Sequence, residues 1–420
     1  MLTRRKFLKI LAATCGSAFM GACARALPTS TPTPLPSPQA LQIAALQPTE
    51  TPTSVATSTP TLTAMPTTTA TATATATATS TPALPDLMTI RGDQFFYRGT
   101  RFPVNGFNYY PKMHPWRTFN LTDWDPRGAE QELRLAVGLG ANTVRTFIDY
   151  PFSLGENKTP QPSQVVLEPV KQYVANFREF LDIAGRLNLQ VMVTLFDSMD
   201  WSIYRPENHA IAEQYLKALI PPFADDPRIM CWDLQNEPDR AIVIVGASSV
   251  ISFFRRMSAL VRQLDPRHLQ TIGWIDRARA RYFEDLESFL DFWTLHFYDK
   301  AERLNELVKF YKTKTTRPVL LQEFGLATGG PGPNGNNTEQ DQAAHYKTVL
   351  TTLEQNNMCG SVFWTLMDFP QGLAGNPPSP NDSPENHFGV FRLDYSEKPV
   401  TAVIRDFWKP RREDYFNQIS

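Results

Sequence analysis

Residues 228–238 read RIMCWDLQNEP, and residues 318–325 read PVLLQEFG. Each segment begins with an apolar run that is typical of a buried strand and continues directly into a glutamate, Glu237 in the first and Glu323 in the second. In barrels of parallel strands and helices, the functional groups lie at the carboxyl ends of the strands. The two glutamates are therefore the first candidate functional residues, and the fold depends on whether similar runs recur along the chain.

Strand-like apolar runs occur eight times after residue 100, with helical periodicity between them, as in residues 174–184 and 250–257. The runs cover residues 104–107, 143–147, 190–196, 229–234, 270–274, 292–296, 319–323 and 361–366. Eight strands that alternate with helices predict an α/β fold, a closed (β/α)8 TIM barrel. A short β-hairpin over residues 88–102, with Gly/Asp and Gly/Thr turns, is predicted to precede the barrel.

The N-terminal part of the chain differs in composition from the predicted barrel, which we assign to residues 87–420. Residues 28–86 are rich in Thr, Pro, Ala and Ser, and Glu50 is the only charged residue of this segment besides Asp86 at its end. Such a segment has no apolar face to bury, so we expect a disordered tether. Residues 1–27 are predicted to be an export signal, because adjacent arginines precede an apolar stretch too short to span a bilayer, as in twin-arginine signals.

The end of this predicted signal, Met20-Gly21-Ala22-Cys23, is similar to a bacterial lipobox. Cys23 would then be the acylated first residue of the mature chain, and cleavage after a small residue without lipidation is the alternative. We expect an exported protein that is tethered to the outer face of a bacterial membrane or to the cell surface. Its lipidated N-terminus would be its only contact with the membrane.

Composition excludes some classes of partner. The chain carries 41 basic and 42 acidic side chains and has no basic stripe that would neutralise phosphates, so no nucleic acid partner is expected. Cys231 and Cys359 are predicted to be buried free thiols without a disulfide. His296 has no second histidine at metal-binding spacing, so neither a metal nor a cofactor is predicted. We expect a monomer.

Polar and aromatic side chains accumulate at the predicted carboxyl ends of the strands. These are Asn108, Tyr109, Tyr110, Arg145, Asp197, Asn236, Glu237, Trp274, His296, Tyr298, Glu323 and Trp364. Two carboxylates in this position suit glycosidic bond cleavage, in which one donates a proton and the other attacks or stabilises an oxocarbenium-like centre. Asn236 is suitable for holding a sugar hydroxyl, and Arg145 for keeping a neighbouring carboxylate ionised.

Asn236-Glu237-Pro238 and Glu323-Phe324-Gly325 resemble motifs of glycoside hydrolase family 5 and of the wider clan A of retaining glycosidases. The resemblance covers about residues 89–408. It implies that Glu237 is the acid/base and Glu323 the nucleophile. The resemblance also matches positions that support the nucleophile, contact the sugar or form its floor, namely Arg145, His296, Tyr298 and Trp364.

One position departs from the family pattern. Asp197 follows the third strand, where many members have a histidine, and it is predicted either to bind sugar hydroxyls or to cap the next loop. Trp116, Trp201 and Trp274 are predicted either to line sugar subsites or to pack in the core or in a loop. Tyr109, at the end of the first strand, is predicted to contact the substrate.

These patterns favour a retaining glycoside hydrolase that cleaves a β-linked polysaccharide or oligosaccharide of the mannan or glucan type by a two-glutamate double displacement. An endo-acting β-mannanase or β-glucanase is the expected activity. Two alternatives stay open: an exo-acting glycosidase or transglycosylase of the same clan, and a surface lipoprotein that binds carbohydrate without cleaving it.

Overall fold

The computed structural model describes residues 86–419, apart from 120–122, 150–166, 198–200, 275–282, 333 and 376–377. The predicted export signal, the lipidation site at Cys23 and almost all of the predicted tether lie outside these residues. No helix within the described part of the chain is both long and apolar enough to cross a membrane.

A small antiparallel sheet of three strands begins the described region. It comprises β1 (Thr89–Arg91), β2 (Gln94–Tyr97) and β3 (Thr100–Arg101). Gly92 and Gly99 lie in the two turns with φ of 58° and 78°, values that favour glycine because it has no Cβ. The predicted hairpin therefore exists and is extended by a third short strand.

The predicted (β/α)8 barrel is confirmed. Its strands are β4 (Val104–Tyr109), β5 (Thr143–Asp149), β6 (Gln190–Asp197), β7 (Ile229–Asn236), β8 (Leu269–Gly273), β9 (Trp293–Phe297), β10 (Val319–Phe324) and β11 (Gly360–Phe363). They pair in parallel in the order β8-β7-β6-β5-β4-β11-β10-β9. The two strands at the ends of this order, β8 and β9, also meet. The backbone N–H of His296 donates to the carbonyl of Trp274 at 2.7 Å, and the hydroxyl of Thr294 donates to the carbonyl of Ile272 at 2.6 Å.

Helices alternate with the barrel strands. They are α1 (Pro126–Gly138), α2 (Leu167–Arg186), α3 (His209–Leu219), α4 (Asp239–Val245), α5 (Ala247–Leu264), α6 (Phe283–Glu287), α7 (Leu304–Lys312), α8 (Glu339–Gln355) and α9 (Val400–Ile419). Local capping explains where some of them begin. The side chain of Asp125 accepts the N–H of Arg127 before α1, and Thr338 and Asp341 form a capping box at the start of α8.

The small sheet closes the end of the barrel at which the strands begin. Phe95 of β2 packs edge-to-face on Phe292, with ring centroids 4.9 Å apart, and Phe102 packs on Tyr415 of α9. Cys231 and Cys359 belong to the same apolar cluster and are buried free thiols, as the sequence predicts. With this end filled by apolar side chains, the carboxyl ends of the strands form the opposite end, the mouth of the barrel.

Candidate active site

Glu237 and Glu323 lie at the mouth of the barrel with their side chains close together. Glu323 is the fifth residue of β10 and is buried, whereas Glu237 directly follows β7 and is partly exposed. One oxygen of each carboxylate and one ring nitrogen of His296 lie within 4.8 Å of one another. The sequence motifs at the ends of two distant segments therefore meet in one cluster.

The backbone at Glu237 has φ of 47°, in the left-handed region that non-glycine residues seldom adopt. Its N–H donates to the carbonyl of Gly273, the last residue of the neighbouring strand β8, at 3.0 Å. A non-glycine residue in such a conformation costs of the order of 1–3 kcal/mol and persists only where its surroundings hold it. Here the turn directs the Glu237 side chain towards His296 instead of along the strand.

Arg145 of β5 is fully buried and connects the cluster to the barrel interior. Its NH1 group donates to Glu323 Oε1 at 2.7 Å and to Asn108 Oδ1 at 3.0 Å. Its Nε and NH2 groups both donate to Asp233 Oδ2, at 2.9 and 2.7 Å. Burial opposes the charge of Arg145, but the carboxylates of Asp233 and Glu323 outweigh it and raise the pKa of the guanidinium above its usual value.

Asp233 and Gln322 form a second layer of polar groups beneath the glutamates. Asp233 is fully buried and, besides Arg145, accepts hydrogen bonds from the hydroxyl of Thr194 at 2.8 Å and from the N–H of Gly273 at 3.1 Å. The amide of Gln322 donates to Asp233 Oδ2 at 3.1 Å. Neither Asp233 nor Gln322 is among the functional residues predicted from the sequence. A charged residue within the apolar run of residues 229–234 is the signal that points to Asp233.

His296 of β9 links the two glutamates. Its Nδ1 lies 2.9 Å from Oε1 of Glu237 and 3.3 Å from Oε2 of Glu323. Its Nε2 lies 3.1 Å from the carbonyl oxygen of the Gln322 amide, whose NH2 group is directed at Asp233, so Nε2 carries a hydrogen. Burial lowers the pKa of His296, but the charges of Glu323 and Glu237 outweigh this effect and raise it above the usual value.

Tyr298 completes the surroundings of Glu323. Its hydroxyl donates to Glu323 Oε2 at 2.8 Å, while 44% of the residue remains exposed at the mouth. Each oxygen of Glu323 therefore accepts a hydrogen bond, one from Tyr298 and one from Arg145. Burial raises the pKa of Glu323, and the nearby Glu237 adds to this; His296, Arg145 and Tyr298 act in the opposite direction but leave the pKa above its usual value.

Trp364 follows β11 and lies among other aromatic side chains at the mouth. Its backbone N–H donates to the carbonyl of Phe324 at 2.7 Å, and only 7% of the residue is exposed. The peptide bond between Trp364 and Thr365 is cis. Rings of Tyr110 and Phe147 pack edge-on against Trp364, with centroids 6.0 and 6.1 Å away.

Four other residues predicted from the sequence to bind substrate have contacts other than those of the glutamate cluster. Tyr109 is buried with its hydroxyl 2.9 Å from Glu132 of α1, because the alternation of strand side chains turns it outward to the helices and brings Tyr110 to the mouth. Trp274 belongs to the main apolar cluster with 1% exposure, which agrees with its core alternative. Asp197 accepts the hydroxyl of Tyr110. Trp201 begins a short 3-10 helix, and its side chain is outside the described part of the structure.

Within the described part of the chain, one group of side chains could offer three ligand atoms to a metal ion. It consists of Glu237, His296 and Glu323. The guanidinium of Arg145 lies 2.7 Å from Glu323 Oε1 and carries a permanent positive charge. This charge repels a divalent cation at the same place. The arrangement therefore favours proton transfer between the three side chains over metal binding.

The chain is similar to a family model and to several known proteins. Residues 104–369 match the family model described as "Cellulase (glycosyl hydrolase family 5)". Among curated relatives, mannan endo-1,4-beta-mannosidase 5 of Solanum lycopersicum is 23% identical over an alignment of 384 residues that covers 75% of this chain and 86% of that protein.

Solved structures show the same fold. The exo-beta-1,4-mannosidase Op5Man5 from Opitutaceae bacterium strain TAV5 has a TM-score of 0.61 at 21% identity, and the match covers 79% of this chain and 63% of that one. A GH2 beta-galacturonidase from Eisenbergiella tayi has a TM-score of 0.57 at 17% identity over 77% of this chain. This chain spans about half (54%) of the length of the Eisenbergiella protein.

Proposed function

This chain belongs to glycosyl hydrolase family 5, and on that premise we propose that it is a retaining β-glycosidase in which Glu323 is the nucleophile and Glu237 the acid/base. The observation that carries the proposal is the close approach of two carboxylates, with oxygens no more than 4.8 Å apart. Retaining enzymes need a separation of about 5–5.5 Å between the carboxyl groups, whereas inverting enzymes need about 6.5–9.5 Å to admit a water molecule.

The surroundings of the two carboxylates support different roles. Glu323 is held by the guanidinium of Arg145 and the hydroxyl of Tyr298, both of which stabilise its ionised form. Glu237 has His296 as its close partner at 2.9 Å and is partly exposed to the mouth, where a leaving group departs. One carboxylate is therefore prepared for attack and the other for proton exchange.

The reaction proceeds in two balanced steps. Glu323 forms a bond to the anomeric carbon while the bond from that carbon to the glycosidic oxygen breaks, and Glu237 gives its proton to the departing oxygen. A water molecule then attacks the same carbon, the bond to Glu323 breaks, and Glu237 takes a proton from the water. The two inversions give net retention at the anomeric carbon.

His296 supports the change of role at Glu237. Since Nε2 already donates to Gln322, Nδ1 either accepts the Glu237 proton or donates a proton to the ionised carboxylate. A proton on this pair is available to the leaving group in the first step. In the second step the pair accepts the proton of the attacking water.

The substrate class that we propose is a β-1,4-linked mannan or manno-oligosaccharide, with the corresponding glucans second. The support is the set of curated relatives whose names describe mannan endo-1,4-beta-mannosidases. Asn236 accepts a hydrogen bond from Arg145 NH2 at 3.1 Å through its oxygen, so its amide nitrogen is the group that we assign to a sugar hydroxyl. Trp364 provides the apolar surface for the face of a pyranose ring.

We also propose that the enzyme is exported and tethered to the cell surface through Cys23 and residues 28–86, as the leader motifs of the sequence indicate. The alternative of a binder without catalysis is less consistent with the site. A binding protein gains nothing from two acidic side chains so close together, because their mutual repulsion raises the free energy of the ionised pair.

The proposal is tested by trapping the covalent intermediate. A 2-deoxy-2-fluoro β-mannoside or β-glucoside with an activated leaving group should add one sugar mass to the purified protein, and peptide mapping should place that mass on Glu323. Glu354, which pairs with Arg411 on the helices around the barrel, provides a control through Glu354→Gln, a variant that should be labelled normally. Labelling of Glu323→Gln at the normal rate would overturn the proposal.

A further inference from the structure

The position of Glu237 defines which side of the site receives the leaving group. Glu237 follows β7 and Trp364 follows β11, and these strands lie four positions apart in a sheet of eight, so they are on opposite sides of the barrel. This inference rests on the proposed function, in which Glu237 protonates the departing oxygen. The sugar that becomes bonded to Glu323 then extends away from Glu237, towards Trp364.

Four aromatic side chains, which we call the aromatic wall, surround Trp364 on that far side. They are Tyr110, Trp116, Phe147 and Phe369. Trp116 stacks on Tyr110 at 5.0 Å between ring centroids, and its ring lies 6.1 Å from that of Trp364 and 5.5 Å from that of Phe369. The wall is thus continuous from the end of β4 to the segment after β11.

The wall leaves little of the Trp364 surface open. A tryptophan that stacks on successive sugars of a long chain needs a face that is open along the chain, yet only 7% of Trp364 is exposed. Trp116 covers part of the indole, because its ring lies 6.1 Å from that of Trp364 with the ring planes inclined by 57°. The covered Trp364 therefore offers little apolar face on which a second sugar ring could stack.

We propose that this side of the site is a pocket for a single terminal sugar, so that the enzyme releases monosaccharides from the non-reducing ends of β-linked chains. Within this proposal, the carboxylate of Asp197, which ends β6 and accepts the Tyr110 hydroxyl, is assigned to the free hydroxyl of that terminal sugar. A carboxylate only accepts hydrogen bonds, so it selects sugar oxygens that carry a hydrogen. A terminal sugar has one more free hydroxyl than an internal sugar, because no glycosidic bond replaces that hydrogen.

The proposal revises the expectation of endo action from the sequence. The sequence leaves two alternatives for Trp116, a sugar subsite or packing in the core or a loop. The residue lies in a turn after β4 with φ of 61°, and the folded loop brings its ring within 6.1 Å of that of Trp364. Its contacts make it a specificity-determining residue in this proposal.

The test uses β-1,4-linked hexasaccharides of mannose and of glucose that carry a fluorescent label at the reducing end. During the first 10% or so of turnover, exo action yields the labelled pentasaccharide and a free monosaccharide. Labelled di- and trisaccharides formed at a comparable rate in the same period would overturn the proposal, because they require cleavage inside the chain.

A variant provides the second arm. Trp116→Ala removes the part of the wall that faces the second sugar, and we expect the release of disaccharide relative to monosaccharide to rise by about 10-fold or more, the scale of discrimination that steric contacts in a pocket provide. Trp124→Ala is the matched control, because Trp124 packs on Phe119 and donates to Glu179 outside the wall. An unchanged product ratio in folded Trp116→Ala protein would contradict the role of Trp116.

The two hypotheses fail in different ways. Rapid internal cleavage, with Glu323 still labelled by the fluorosugar, would reject the single-sugar pocket and leave the retaining mechanism intact. Absence of labelling and of hydrolysis on every substrate would reject the retaining mechanism itself, and the pocket assignment with it.

Discussion

Arg145 and Asp233 form an ion pair in which neither side chain is exposed, with NH2 and Oδ2 2.7 Å apart. The pair lies between the strands, directly beneath the catalytic glutamates that we propose. Removing one partner of such a pair leaves a buried charge without compensation, which typically costs about 3–5 kcal/mol. The pair therefore couples the stability of the barrel to the orientation of the guanidinium that contacts Glu323.

Asp233→Asn should lower the free energy of unfolding by about 3 kcal/mol and also lower turnover, because Arg145 loses its anchor. Denaturant unfolding and steady-state kinetics check the two effects. Asp285→Asn is the control, since Asp285 pairs with Arg255 on the surface at 3.5 Å and should change stability by less than about 1 kcal/mol. Equal effects of the two substitutions would contradict the anchoring role.

Glu237→Gln should lower turnover on oligosaccharides by about 10²–10⁴-fold, the usual contribution of a general acid. An aryl glycoside with a strongly acidic phenol needs little protonation, so its first step should remain fast and glycosyl-enzyme should accumulate. Glu323→Gln should lose activity on both substrates. Burst kinetics distinguish the two variants, and similar behaviour of both towards the activated substrate would exclude the assigned roles.

The pH profile should have an acid limb that reflects Glu323. Burial raises the pKa of Glu323, so its carboxylate becomes protonated, and activity falls, at a higher pH than for an ordinary glutamate. The charge of His296 lowers the pKa of Glu323, so His296→Gln should move this limb to still higher pH. His345→Gln on α8 is the control. A limb that stays in place or moves to lower pH would count against this coupling.

Tyr298→Phe removes the hydroxyl that donates to Glu323 Oε2. A hydrogen bond to a charged group contributes about 1.5–3 kcal/mol, so kcat/KM should fall by about 10- to 100-fold. The same bond lowers the pKa of Glu323, and the acid limb should therefore also move to higher pH. Tyr415→Phe, at the closed end of the barrel, should leave both quantities unchanged. A loss of activity without a shift of the limb would indicate that Tyr298 acts only through packing.

The eight strands and the positions of the two glutamates were predictable from the sequence, because apolar runs with polar ends are a local signal. Strand β7 continues to Asn236, and β4 to Tyr109, beyond the runs predicted at 229–234 and 104–107. The polar residues at these ends also pair with neighbouring strands. Their polarity made the predicted strands too short.

The second layer of the site was not predictable. Asp233 and Gln322 act from within strands, and their roles depend on which side chains meet inside the barrel, a property of strand register. The choice between Tyr109 and Tyr110 depends on the same property, since a shift of one residue reverses the side on which a strand side chain lies. Trp274 directly follows β8, which ends at Gly273, and is covered by neighbouring side chains such as Phe254.

The small sheet packs on the barrel at the end opposite to the mouth, and the described chain begins there at Asp86. A resin, an electrode or a fusion partner joined at this end would leave the entrance for substrate clear. The N-terminal end of the barrel is therefore the natural site for immobilising the enzyme, whereas attachment through the segments around Trp116 or Phe369 would obstruct access.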